Sequence, residues 1–136
     1  MTTGNHFLET TIGVFKNYKS LAEKSFAQLQ TEQDFHFAPD AESNSIALLI
    51  KHISGNMISR WTDFLTTDGE KPNRNRDDEF VDRAETREQL MEKWNTGWRV
   101  FFDTLNSLKE EDLLKKITIR QEELTVLQAL TRQTAH

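Results

Sequence analysis

The chain has 136 residues, 17 Lys and Arg against 22 Asp and Glu, and a formal charge of −5. That length fits one domain with one core, and an acidic balance disfavours nucleic acid, whose phosphates are held by clustered Lys and Arg. With no cysteine, disulfides, thiolate ligands and a Cys nucleophile are excluded, and any thiol must come from outside.

No run approaches the roughly 18 apolar residues of a membrane span, and "MTTGNHFLETT" lacks the basic-then-apolar order of a leader. The expected location is cytoplasmic, with no membrane and no nucleic acid as partner.

Apolar residues from Thr3 to about Leu29 recur at three and four: Leu8, Thr11, Phe15, Tyr18, Ala22, Ser25 and Leu29, flanked by Phe7, Ile12, Leu21 and Phe26. This spacing predicts a first amphipathic helix. "QTEQDFHFAPDAESN" breaks the pattern with Pro39, and Asn44 or Ser45 then caps a second helix running to about Leu65 on Ile46, Leu49, Ile50, Ile53, Met57, Trp61 and Phe64.

Residues 66–85, with Gly69 and Pro72, read as a long connection. Its basic knot of Lys71, Arg74 and Arg76 is followed at once by Asp77, Asp78 and Glu79, so the loop is expected to be salt-bridged. Thr86 with Gln89 forms a capping box that opens a third helix. Its seam is Leu90, Trp94, Gly97, Phe101, Leu105 and Leu108, where Gly97 suggests a close helix approach.

Glu110, Glu111 and Asp112 read as a solvated charge run. "ITIRQEELTV" alternates Ile117 and Ile119 before a polar turn, as a small hairpin does. Thr125 with Gln128 is a second capping box, starting a fourth helix through Val126, Leu127 and Leu130.

Three full helices and a shorter one predict an all-α four-helix bundle. The connection of about 20 residues is long enough to cross a helix of ~30 Å, so the second and third helices are expected to run parallel. The second and fourth are then antiparallel.

In that frame His52 lies ~20 Å above the far end of its helix and His136 ~16 Å up the fourth, with the next turn at ~22 Å, using 1.5 Å per residue. Imidazoles facing one another at such heights suit a Zn²⁺-like ion with one site open for water or substrate. By spacing alone, a boundary histidine hydrogen-bonded to a neighbour is the default reading. Trp61 and Trp94 fit core seams, and Trp98, one position off the seam, is with Asn56 a candidate for lining a cleft. His6 and His36 are read as surface residues. No catalytic acid, base or nucleophile is assigned.

The stretches "HFLETTIGVFKNYKSLAEKSFAQL", "SIALLIKHISGNMISRWTDFLTTDGEKPNRNRDDEF", "LNSLKEEDL" and "KKITIRQEELTVLQALTRQTAH" resemble a branch of the DinB-like superfamily known as a domain of unknown function. The resemblance covers essentially the whole chain; its most specific part is the block from "KHISGN" to "NRNRD". It implies an up-down-down-up four-helix bundle, often dimeric, with a divalent metal such as Zn²⁺ or Ni²⁺ held by one histidine of the second helix and an H-x-x-x-H pair of the fourth.

Carried over, the ligands are His52 and His136, and the third has no counterpart, so the fourth helix is expected to be incomplete and the third site absent or substituted. The resemblance further implies a metal-dependent hydrolase or thiol S-transferase acting on a small molecule or low-molecular-weight thiol. The alternative is a non-catalytic ligand-binding or dimeric bundle with a vestigial metal site.

Overall fold

The computed structural model describes residues 2–135. The chain is mostly helical, with one small antiparallel two-stranded sheet. The long helices are α1 (Thr3–Ala27), α3 (Ile46–Trp61) and α5 (Arg87–Ser107), followed by the shorter α6 (Val126–Ala135). Two short helices, α2 (Glu32–His36) and α4 (Arg76–Glu79), lie in segments expected to be irregular.

The starts follow local chemistry. Ser45 accepts from the Leu48 amide, and both capping boxes close: Thr86 with Gln89 and Thr125 with Gln128 exchange side-chain and backbone bonds of 2.9–3.1 Å. These bonds satisfy amides that no helical carbonyl can reach. The box of α2 uses Asp in place of Glu or Gln, Asp34 accepting from the Thr31 amide, and its single turn buries Phe35 completely. α3 stops at Trp61 instead of near Leu65, because Asp63 takes a left-handed φ of 47°.

Side-chain contacts fix the directions of the long elements. Along α3 and α5, Ser54 and Met57 face Gly97, the Trp61 ring meets Phe101 at 4.9 Å, and Thr104 Oγ1 donates to the Trp61 carbonyl at 2.7 Å. Residue numbers rise together, so these helices run parallel, as the length of the connection predicts. A Cβ on Gly97 would lie 3.1 Å from Ser54 Cα, so a side chain there would push the two helices apart by a few tenths of an ångström. α1 runs the other way, with Phe15 against Phe101 at 4.6 Å and Phe26 against Trp94 at 5.0 Å.

The core is the seam read from α5, all of it buried, together with Leu8, Phe15, Ile50, Met57, Trp61 and Leu130. Tyr18, Leu21 and Leu49, assigned to apolar stripes, are exposed. Asp112, expected in a solvated run, is buried: it accepts from the Lys109 amide and pairs with Lys115.

The hairpin β1 (Lys116–Ile119) and β2 (Glu122–Thr125) buries Ile117, Ile119 and Leu124. Arg120 and Gln121 at its tip both have positive φ, 51° and 67°, the backbone of a two-residue turn that usually takes Asn or Gly. Asp68 offsets that cost by accepting from the amides of Glu70, Arg120 and Gln121 at 2.7–2.8 Å.

Those bonds, the Gln121 amide foremost, hold the Asp68 carboxyl down at about 2 against an ordinary 3.8. A depressed acid stabilises the fold above its unfolded pKa and ceases to do so as pH falls through the folded one. Asp68→Ala is expected to cost about 2 kcal/mol at neutral pH, with the gap from the parent narrowing between pH 4 and 2 in urea melts.

The hairpin also sets the direction of α6. Gly69 donates to the Thr118 carbonyl at 2.8 Å and its own carbonyl accepts from Ser59 Oγ at 3.0 Å, so β1 sits at the C-terminal end of α3. Further along α6, Gln133 Nε2 donates to Asn56 Oδ1 at 3.0 Å, one turn back along α3. The two helices are therefore antiparallel. Among the described residues no helix is long and apolar enough to cross a membrane.

Candidate functional site

His52 projects from α3 at the edge of its apolar face and is half-buried. Its Nδ1 lies 3.0 Å from Glu79 Oε1. A carboxylate only accepts, so Nδ1–H donates and the neutral ring carries its lone pair on Nε2. Phe80, next to Glu79, covers the ring with centroids 5.0 Å apart.

Glu79 is held in turn. Arg74 Nε donates to Oε2 at 2.9 Å and Nη2 to Oε1 at 3.0 Å, a bidentate fork around a carboxylate. The Arg74 side chain is only 3% exposed and has Glu70 as a more distant partner at 3.5 Å. α4 supplies the carboxylate: Asn75 caps it by accepting from the Asp78 amide. Gly55, one turn along α3 from Lys51, makes room, since a Cβ there would stand 2.7 Å from Glu79 Cδ.

The connection is salt-bridged as its sequence predicts, through Arg74 with Glu79, Arg76 with Glu70 and Arg83 with Asp78. Lys71 differs: its ammonium donates to the carbonyls of Ser59 and Asp68. Burial pulls that ammonium below the usual lysine range.

Beyond Asn56 a cavity of about 310 Å³ opens between α1, α3, α5 and α6, lined by Phe15, Tyr18, Met57, Trp98 and Gln133 among others. Asn56 and Trp98 thus border the same space. Among the described residues, none that lines it carries a charge. Trp98 Nε1 and Gln133 Oε1 are both buried without a hydrogen-bond partner. Trp98 also packs in the core, stacked on Phe102 at 5.3 Å, while Trp61 and Trp94 are core residues.

Of the two expected ligands, His52 is placed by α3 and His136 lies outside the described residues. Gln133, absent from the sequence reading, continues the buried seam of Val126, Ala129 and Leu130 at the spacing of three that could have revealed it. No spacing relates Glu79 to His52, 27 residues away across the connection. His6 is exposed as expected; His36 is not, its side chain being 16% exposed and set against Asp82 and the Glu85 carbonyl.

No curated protein and no solved structure matches the chain. One sequence family, described as a protein of unknown function and designated DUF1572, matches residues 2–136. A match over that span makes this chain a member of the DUF1572 family.

Proposed function

We propose that the protein is a DinB-like four-helix bundle that binds a divalent metal, with His52 and His136 among its ligands. The observation that carries this reading is the His52–Glu79–Arg74 chain. Histidines that ligate metals commonly donate their other ring N–H to a carboxylate, which fixes the tautomer and raises the basicity of the ligating nitrogen. Here Glu79 accepts the hydrogen bond of Nδ1–H and Arg74 fixes Glu79, so His52 would offer Nε2.

A single imidazole is the described part of the donor set, and its Nδ1 contact with Glu79 is compatible with ligation through Nε2. Bound there, Zn²⁺ or Ni²⁺ would supply Lewis acidity for a metal-dependent hydrolase or thiol S-transferase. The protein's own part is to orient His52 through Glu79 and to offer the cavity beside Asn56 and Trp98 to a small molecule or low-molecular-weight thiol. The proposal includes a homodimer, for which Tyr18, Leu21 and Leu49 offer exposed apolar surface on α1 and α3.

Elemental mass spectrometry on untagged protein tests the metal. His52→Ala is expected to remove one equivalent of bound divalent metal per chain, and Glu79→Gln to weaken it by about 10–100-fold through orientation alone. Unchanged metal content in His52→Ala would sink the assignment.

The second reading, a non-catalytic bundle that binds a small neutral ligand beside a vestigial metal site, draws on the uncharged described residues that line the cavity. It predicts a melting temperature indifferent to chelators, because only a ligand that binds the folded state raises it.

A further inference from the structure

We infer that His36, Asp82 and Glu85 form a divalent-cation site separate from His52, joining α2 to the end of the connection between α3 and α5. One ligand atom from each of these side chains lies within 4.8 Å of the others.

The histidine gives the strongest indication. Its Nε2 is 2.7 Å from the Glu85 carbonyl oxygen, which can only accept, so Nε2 carries the ring proton. On the other side of the ring, Nδ1 is 2.9 Å from Asp82 Oδ1. In the neutral ring these are two lone pairs in contact, an arrangement that a cation between them relieves.

Geometry separates the two cations that could do so. The Nδ1 atom is buried and makes no hydrogen bond despite the short distance, because the oxygen lies off the direction of a ring N–H. A proton on Nδ1 would therefore be poorly shared with Asp82. Two ligands each ~2.1 Å from one metal ion stand ~3.0 Å apart at the octahedral angle and ~3.4 Å apart at the tetrahedral angle usual for Zn²⁺, each pointing at the ion and not at its neighbour. The 2.9 Å separation lies close to the octahedral value, and a tetrahedral ion would need the pair to open by ~0.5 Å.

The remaining contacts hold the donors in place. Lys51 Nζ reaches Glu85 Oε2 at 2.7 Å and the Arg83 amide donates to Oε1 at 3.1 Å. The Ala84 amide donates to Asp82 Oδ1 at 2.8 Å. Such outer bonds fix carboxylate ligands. One imidazole and two carboxylates favour Zn²⁺ and its neighbours in the first transition row over Mg²⁺.

Zn²⁺ titrated calorimetrically into the chelator-treated full chain tests the site. His36→Ala and Asp82→Asn are each expected to weaken, by at least about tenfold, a binding step that His52→Ala retains. Asp82→Asn preserves size at a half-exposed position, so it decides the matter even where His36→Ala unfolds. Isotherms of His36→Ala and Asp82→Asn that match the parent overturn the site and leave His52 untouched. A His36 ring that keeps both protons at saturating Zn²⁺, read from its nitrogen shifts by NMR, overturns it as well.

Discussion

Glu79→Ala is expected to lower stability by about 3 kcal/mol, measured by urea denaturation with an unchanged slope. The reason is the charge left behind. Arg74 is almost fully buried, and its two short bonds both end on Glu79. Removing one partner of such a pair strands the other without water, a loss of ~3–5 kcal/mol in general. Glu70, 3.5 Å from Nη1, retains part of the compensation and places the estimate at the low end.

Glu79→Ala combined with Arg74→Met should recover most of the loss, since replacing both members of a buried pair by apolar groups is often close to neutral. Recovery of stability without recovery of metal binding would separate the two roles of Glu79. Stability would depend on the pair, and the orientation of His52 on the carboxylate itself. A single variant as stable as the parent would mean that Arg74 finds water or Glu70 without cost, and that the carboxylate has no structural hold on α4.

Where local chemistry decides the structure, the sequence was readable. The boxes of Thr86 with Gln89 and Thr125 with Gln128 mark helix starts because their bonds are made within four residues. The α5 seam was legible because every position in it faces the core, and the parallel course of α3 and α5 followed from the length of the chain between them. The end of α3 was misread for a physical reason. Phe64 keeps the helical spacing and packs on Trp61 at 4.4 Å, so the burial pattern continues after the backbone has turned away at Asp63.

The site was legible only in part. His52 and Asn56 share a helix face, and spacing relates them. Glu79 reaches His52 only because the connection folds back over α3, and that return depends on Gly55, Asn75 and Arg74 together. The convergence of His36 with Asp82 is likewise non-local. α2 is five residues long, too short for a periodic signal, and its partner lies 46 positions further on.

Phe101→Ala is the core substitution expected to cost most, about 3–5 kcal/mol. Its ring is fully buried and touches all sides of the junction: Phe15 at 4.6 Å on α1, Trp61 at 4.9 Å on α3, and Trp98 at 5.9 Å on its own helix. The surrounding aromatic rings are rigid and already in contact with one another, so collapse into the vacated space is limited. Phe101 also forms part of the wall of the 310 Å³ cavity, so truncation enlarges that cavity and does not create an isolated void.

That location makes occupancy of the cavity testable under either functional reading. If the cavity receives a small neutral ligand, Phe101→Ala should shift preference toward a bulkier one while metal content stays at the parent level. Phe102→Ala, one position away and only partly buried, provides the control and should cost about 1 kcal/mol. Equal losses in the two variants, measured by denaturant midpoint, would show that the junction of α1, α3 and α5 repacks freely and that the cavity has no fixed wall at Phe101.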